Sequence, residues 1–147
     1  MSPLSRSIDI RRPAADVFAV LDDPTQQTRW QESLVSVEVT GGSPTRVGTE
    51  VCEVRRGPGG VTHTVRYRIT HHEPGRRFAF EGGGGPVQVR ATVRVDPLDD
   101  ARCRVTAEFD FSASLKGRVL LPLVRREAAR ELPEDQARLR ALLEGAA

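Results

Sequence analysis

A regular alternation of apolar and polar residues runs through two neighbouring stretches, and it restricts the fold more than any other feature. Val87, Val89, Ala91, Val93 and Val95 oppose Gln88, Arg90, Thr92 and Arg94. Past a loop at Pro97 to Asp100, Cys103, Val105, Ala107, Phe109 and Phe111 oppose Arg102, Arg104, Thr106, Glu108 and Asp110. A period of two is the pattern of a strand with one face against a core and the other in water. Joined by so short a loop, the two strands pair antiparallel and their apolar faces coincide. Another part of the chain has to cover that face.

The cover comes from the end of the sequence. Between Leu115 and Glu144, apolar residues fall at Leu121, Val124, Ala128, Leu132, Leu139, Leu142 and Leu143, a spacing of three and four that lays one stripe along a helix. Arg130 and Glu134, Glu134 and Arg138, and Arg140 and Glu144 stand four apart on the opposite side, as charge pairs on a wet face do. Pro122 falls in the first turn, where a missing N–H costs little. Pro133 falls mid-helix and is expected to bend or break it.

The remaining segments supply further strands and two short helices. Leu4 to Ile10 alternates Ile8 and Ile10 with Ser7 and Asp9 and reads as a first strand. Pro13 opens a helix of about ten residues with Val17, Phe18, Val20 and Leu21 on its apolar face, stopped by Asp22-Asp23-Pro24. Thr25 caps a second short helix that ends at Arg29 or Trp30. Leu34 to Thr40 sets Val35, Val37 and Val39 against Ser36 and Glu38, and Gly41-Gly42-Ser43-Pro44 ends it. Val47 to Arg56 is a third strand of ambiguous facing, because Val47 and Val51 lie on one parity and Cys52 and Val54 on the other; a bulge would reconcile them. Gly57-Pro58-Gly59-Gly60 turns the chain into Val61 to His71, where Val61, His63, Val65, Tyr67, Ile69 and His71 share a face. Pro74-Gly75 leads to Arg77 to Glu81, with Phe78 and Phe80 on one side, and Gly82 to Gly85 turn the chain again. The sum is an α+β chain: a seven-stranded antiparallel sheet, two short helices after strand 1 and a long C-terminal helix. A twisted sheet of this size is curved, so a helix packed across its concave face leaves a hollow. The stripe from Leu120 to Ala128 would border the mouth of that hollow, with Leu139, Leu142 and Leu143 anchoring the other half.

Totals narrow the class. At 147 residues, the chain 1–147 has the size of a single domain that buries its own core. Lys plus Arg is 22 against 20 Asp plus Glu, interleaved along the chain, which speaks against a nucleic-acid partner. Cys52 and Cys103 fit neither a disulfide framework nor a zinc pattern and read as small buried residues. No apolar run approaches the roughly 18 residues of a transmembrane segment, and the first ten residues lack a signal region, so a cytoplasmic location is expected.

Words spread through the chain resemble a known family: Ile10-x-x-Pro13-Ala14-x-x-Val17-Phe18, Asp23-Pro24 followed by Arg29-Trp30, Val47-Gly48-Thr49, Glu73-Pro74-Gly75-Arg76, and Leu132-Pro133-Glu134-Asp135 with Leu139, Leu143 and Glu144. The chain is similar along its length to the START-like helix-grip superfamily (SRPBCC), in its polyketide cyclase/dehydrase and lipid-transport branch. The resemblance implies a helix-grip fold and a cavity for a lipid, quinone, polyketide or hormone. Some members catalyse cyclisation or dehydration, and others act on partner proteins. No catalytic residue is common to the family, so the resemblance assigns none.

The residues expected to line the hollow are Trp30, Val65, Tyr67, Phe78, Phe80, Val89, Ala91, Phe109, Phe111, Leu120 and Val124, which would hold a small hydrophobic molecule by removing its surface from water. The aromatic members would give shape selectivity. His63 and Tyr67 lie roughly 13 Å apart on one strand face. Either they are the proton-transfer groups of a cyclase or dehydratase, or His63 sits at the solvent edge and Tyr67 packs with its hydroxyl satisfied locally. His71 and His72 look exposed before a turn, without a third metal ligand, so no metal and no cofactor are expected. Glu53 and Arg66 either pair on the sheet or send one side chain into the hollow to read a carboxylate. Gly82 to Gly85 lack the lysine of a phosphate loop, and no nucleophile motif occurs. Lys116, Arg118, Arg125, Arg126 and Arg130 beside Val119, Leu120, Leu121 and Leu123 read either as a solvated face or as a transient membrane contact. Three functions follow: a non-covalent carrier or sensor, an enzyme of cyclase/dehydratase type, or a protein-interaction domain. The pattern leaves oligomeric state open.

Overall fold

The computed structural model describes residues 3–42 and 46–145. One antiparallel sheet holds β1 (Leu4–Ile10), β2 (Leu34–Gly41), β3 (Glu50–Arg56), β4 (Thr62–Glu73), β5 (Arg77–Gly84), β6 (Val87–Asp99) and β7 (Arg102–Ala113), in the spatial order β1-β7-β6-β5-β4-β3-β2. Strands β2 to β7 follow one another as a meander, since each short connection reaches only an antiparallel neighbour. β1 closes the order by pairing with β7, Ile8 opposite Val105 and Ile10 opposite Cys103. Between β1 and β2 lie α1 (Ala14–Leu21) and a short 3-10 helix at Pro24–Arg29; the chain ends in α2 (Leu121–Gly145). This is the expected α+β helix-grip arrangement.

One end of the molecule is solidly packed. Ile10, Val17, Val95 and Cys103 are 0% exposed, and Val105, Leu139 and Leu143 pack into the same cluster. The second half of α2 is also tied by polar contacts: Gln136 Nε2 donates to the Arg6 carbonyl at 3.1 Å, and Arg12 Nη1 to that of Leu143 at 3.0 Å. The Arg11 guanidinium and backbone N–H both donate to Glu144. These contacts set where the helix lies; its burial of Leu132, Leu139 and Leu143 supplies most of the stabilisation.

Departures from the sequence pattern have local causes. α2 runs through Pro133 without a break. The carbonyl that loses its partner belongs to Ala129, an exposed residue, where water can supply the missing donor. Asp23, and not Thr25, caps the 3-10 helix, accepting from the Thr25 N–H at 3.0 Å. β5 continues through Gly82, Gly83 and Gly84 before it turns. A Cβ at Gly82 would stand 2.0 Å from the Arg66 carbonyl oxygen, and one at Gly84 2.3 Å from that of Thr64. Only glycine lets β5 approach β4 so closely, so the run continues a strand that any side chain would push away. In β2 a register shift after Leu34 turns Leu34 inward and leaves Val35 45% exposed. β3 has no bulge against β4; the irregularities lie in its pairing with β2, and Val47 lies outside the strand. Cys103 is buried, but Cys52 lies on the other parity of β3 from buried Val51 and is only half-buried. On α2, Glu134 does pair with Arg138, at 3.7 Å, whereas Arg130 turns to Glu127 and Glu144 to Arg11. The expected turn at Ser43-Pro44 lies outside the described residues.

Candidate functional site

Between sheet and α2 lies a cavity of about 300 Å³. Its floor is the inner face of the sheet. Alternation places Val65 and Tyr67 of β4, Phe78 and Phe80 of β5, Val87 and Val89 of β6, and Phe109 and Phe111 of β7 on that face. The roof is α2, where Val124, Ala128, Leu132 and Leu139 recur on one side of the helix. Phe109 and Phe111 stack in parallel with centroids 6.2 Å apart, and Tyr67 meets Phe80 at 4.5 Å, so the aromatic groups form two separate surfaces. Trp30 closes a side, its Nε1 buried and without a hydrogen-bond partner. Of the residues expected to line the hollow, Ala91 and Leu120 do not. Ala91 is on the inner face but is buried between Phe80 and Phe109, and Leu120 lies before α2 and is 43% exposed.

The wall is not uniformly apolar. Counting back from the β3–β4 hairpin, Val51 lies opposite Tyr67, Glu53 opposite Val65 and Arg55 opposite His63. Directly opposite residues share a face, so β3 turns a carboxylate and a guanidinium into the cavity. Glu53 is 3% exposed and accepts from Arg55 Nε at 2.7 Å. Arg55 Nη1 donates to Ser33 Oγ at 3.1 Å, and its other terminal nitrogen donates to the Gln31 side chain. The Tyr67 hydroxyl borders the same cavity, near Glu53 and Gln27. Burial first, and the negative charge of Glu53 second, hold its proton far more tightly than an ordinary phenol. Tyr67 is therefore a donor at neutral pH and not a base. Arg66 is no partner of Glu53; it stands on the outer face of β4, opposite Cys52.

From the roof, Asp135 is 9% exposed and borders the same cavity. Burial pushes its carboxyl up to about 6; nearby Glu131 adds to the rise, while the Glu32 N–H, Arg138 and Arg55 oppose it. Arg138 donates to Asp135 at 2.8 Å and also pairs with Glu32, tying α2 to the segment after Trp30. The polar end of the cavity is thus built from three elements.

The histidines divide. His63 borders the cavity while remaining exposed, and its ring leans on the turn: a Cβ at Gly57 would stand 3.1 Å from its Nδ1. His71 and His72 do not form a pair. A register shift between Ile69 and His71 leaves His71 exposed, as expected, and sends His72 inward, against the expectation that it too would be exposed. The His72 side chain is 9% exposed, with Nε2 2.9 Å from Asp22, and it joins the end of α1 to β4. Burial raises the Asp22 carboxyl above its usual range, against the opposing effect of His72.

Glu53 was named from the sequence as a residue that could enter the hollow, whereas Arg55 and Asp135 were missed, because both are charges at positions that face the cavity. For β3 the hairpin register was the available signal.

Comparison with known proteins agrees with this geometry. No curated protein sequence matches the chain. Among solved structures, a START superfamily protein from Mycobacterium smegmatis superposes with a TM-score of 0.82 at 12% identity, each chain fully covered. The Zhui aromatase/cyclase from Streptomyces sp. R1128 gives 0.79 at 17% identity, with 97% of this chain and 93% of that one covered. The di-domain aromatase/cyclase BexL of the BE-7585A biosynthetic pathway gives 0.78 at 18% identity; 98% of this chain spans 47% of that one. At such identities the likeness is one of fold. The sequence itself matches, over residues 1–144, the family described as polyketide cyclase / dehydrase and lipid transport, and the chain belongs to that family.

Proposed function

We propose that the protein binds, non-covalently and within one domain, a small molecule with an apolar or aromatic body and an oxygen at one end. The observation that carries this reading is the cavity of about 300 Å³, walled by valine and phenylalanine and closed at one end by a polar cluster. A ligand burying a few hundred Å² there gains several kcal/mol, at roughly 25 cal/mol per Å², before the costs of association. The unpartnered Trp30 Nε1 supports an acceptor atom on the ligand, since a buried donor left unpaired is costly. Lipid-like, quinone-like and polyketide-like molecules all have this form. Mass spectrometry of small molecules extracted from the purified protein tests the reading. An extracted apolar molecule that, added back, changes the emission of the sole tryptophan supports it. Emission that stays flat against the extract and against a quinone and fatty-acid series contradicts it.

A second reading, an enzyme of cyclase or dehydratase type, is favoured by one observation: two proton-bearing groups of different strength face the same space. Tyr67 can donate to a developing enolate oxygen, and Asp135, near 6, can exchange a proton at neutral pH. In this reading Tyr67→Phe or Asp135→Asn abolishes turnover of a polyketide-like substrate while leaving its binding intact, and His63→Ala tests the remaining candidate. Turnover unchanged in all three variants would contradict these roles, and no turnover by the parent chain would leave binding as the sole activity.

A further inference from the structure

Four of the eight exposed large apolar side chains among the described residues fall within one short segment: Leu115 and Val119 at 82%, and Leu120 and Leu123 at 43%. The segment leads into α2 and is not a loose loop. The Ser114 N–H donates to the Pro86 carbonyl at 3.1 Å, and a Cβ on Gly117 would stand 2.7 Å from the same oxygen, so the chain is pressed onto the β5–β6 turn. Apolar side chains are thus held outward by a fixed backbone. Their charged neighbours are all of one sign. Residues 112–126 contain Lys116, Arg118, Arg125 and Arg126 and no Asp or Glu. None of the four cations has an ion-pair partner among the described residues. The residues on either side of the segment, Val87 and Gly84 of the hairpin and Val124 and Ala128 of α2, border the cavity.

We propose that this segment is a docking surface for an anionic lipid bilayer, which brings the cavity mouth to the membrane so that an apolar ligand passes between the two without crossing water. The proposal deepens the carrier reading and rests on it. Outward Leu and Val would enter the headgroup boundary while the four cations meet lipid phosphates and carboxylates, the arrangement of an interfacial basic amphipathic element. An acidic protein partner would satisfy the cations. It would not by itself account for Leu115 and Val119 standing 82% exposed beside those cations.

The test is co-sedimentation of the full chain with phosphatidylcholine vesicles, with and without phosphatidylserine. The chain is expected to bind the phosphatidylserine vesicles and to leave them at high salt. Lys116→Gln/Arg118→Gln should weaken that binding about 30-fold, each cation being worth about fivefold near such a surface. Leu115→Ser/Val119→Ser should weaken it at least as much, and since both side chains are exposed, circular dichroism should match the parent. No binding by the parent chain, or equal binding by both variants, overturns the proposal. So does a dimer in solution that Leu115→Ser/Val119→Ser dissolves, since a second copy would then cover the patch. Binding of N-phenyl-1-naphthylamine without vesicles reads the cavity separately. Its absence in the parent chain defeats the carrier reading, whatever the vesicles do.

Discussion

Glu53 and Arg55 put a charge pair where the fold offers little water, and removing either partner is costly in a way that removing both is not. Arg55→Leu leaves Glu53, at 3% exposure, facing Tyr67 without its cation and is expected to cost about 3 kcal/mol. Glu53→Leu/Arg55→Leu should recover most of that stability, because apolar side chains of similar volume then line the wall. Urea denaturation of the two variants measures this, and a double variant less stable than the single one would contradict it. Asp135 gives a pH-dependent counterpart. Its carboxyl is raised from 3.8 to about 6, chiefly by burial, so the ionised form is the costly one in the fold. The stability that the protonated form contributes is fully present below about pH 4 and is lost as pH rises through about 6. Asp135→Asn is therefore expected to stabilise by up to about 3 kcal/mol near pH 7.5 and by little near pH 4, since each tenfold change in proton affinity corresponds to about 1.4 kcal/mol. Thermal melts at the two values check this, and equal gains at both would be evidence against it.

At the scale of elements, alternation located all seven strands and their apolar faces wherever the core positions are apolar. It failed where backbone geometry or charge intervened. A period of two carries no mark for a bulge, so the shift after Ile69 hid the inward turn of His72, and the one after Leu34 hid the outward turn of Val35. Apolar residues on both parities, Val47 and Val51 against Cys52 and Val54, made β3 read as ambiguous, although its hairpin register with β4 fixes the facing. A glycine run looks the same whether it turns or permits close approach. The two cases separate on substitution. Gly84→Ala places a Cβ 2.3 Å from the Thr64 carbonyl oxygen and is expected to cost about 2–3 kcal/mol by forcing β5 from β4. Gly85→Ala meets open space and should cost only about 1 kcal/mol, for its φ of 73°. Chemical denaturation of both variants decides it, and a reversed order would mean that the glycines turn the chain instead.

For the whole molecule, the two ends of the helix grip have different work. α1 and the second half of α2 close one end around residues with no exposure, while the first half of α2 spans the cavity with a half-buried stripe. That division was legible in part: the anchor at Leu139 and Leu143 and the roof at Val124 and Ala128 follow from one helical repeat, whereas Leu120 and Leu123, expected beside the hollow, are exposed. The polar end of the cavity was not legible, because it is assembled from β3, the segment after Trp30 and α2, which only the fold brings together. The central claim is that the space under α2 takes up an apolar molecule. Ala128→Phe, which adds a ring from the roof into that space, tests it through titration with N-phenyl-1-naphthylamine. The parent chain should bind the probe saturably, and the variant at least tenfold more weakly at equal or higher thermal stability. Equal affinity in both, or no saturable binding by the parent chain, would contradict the claim.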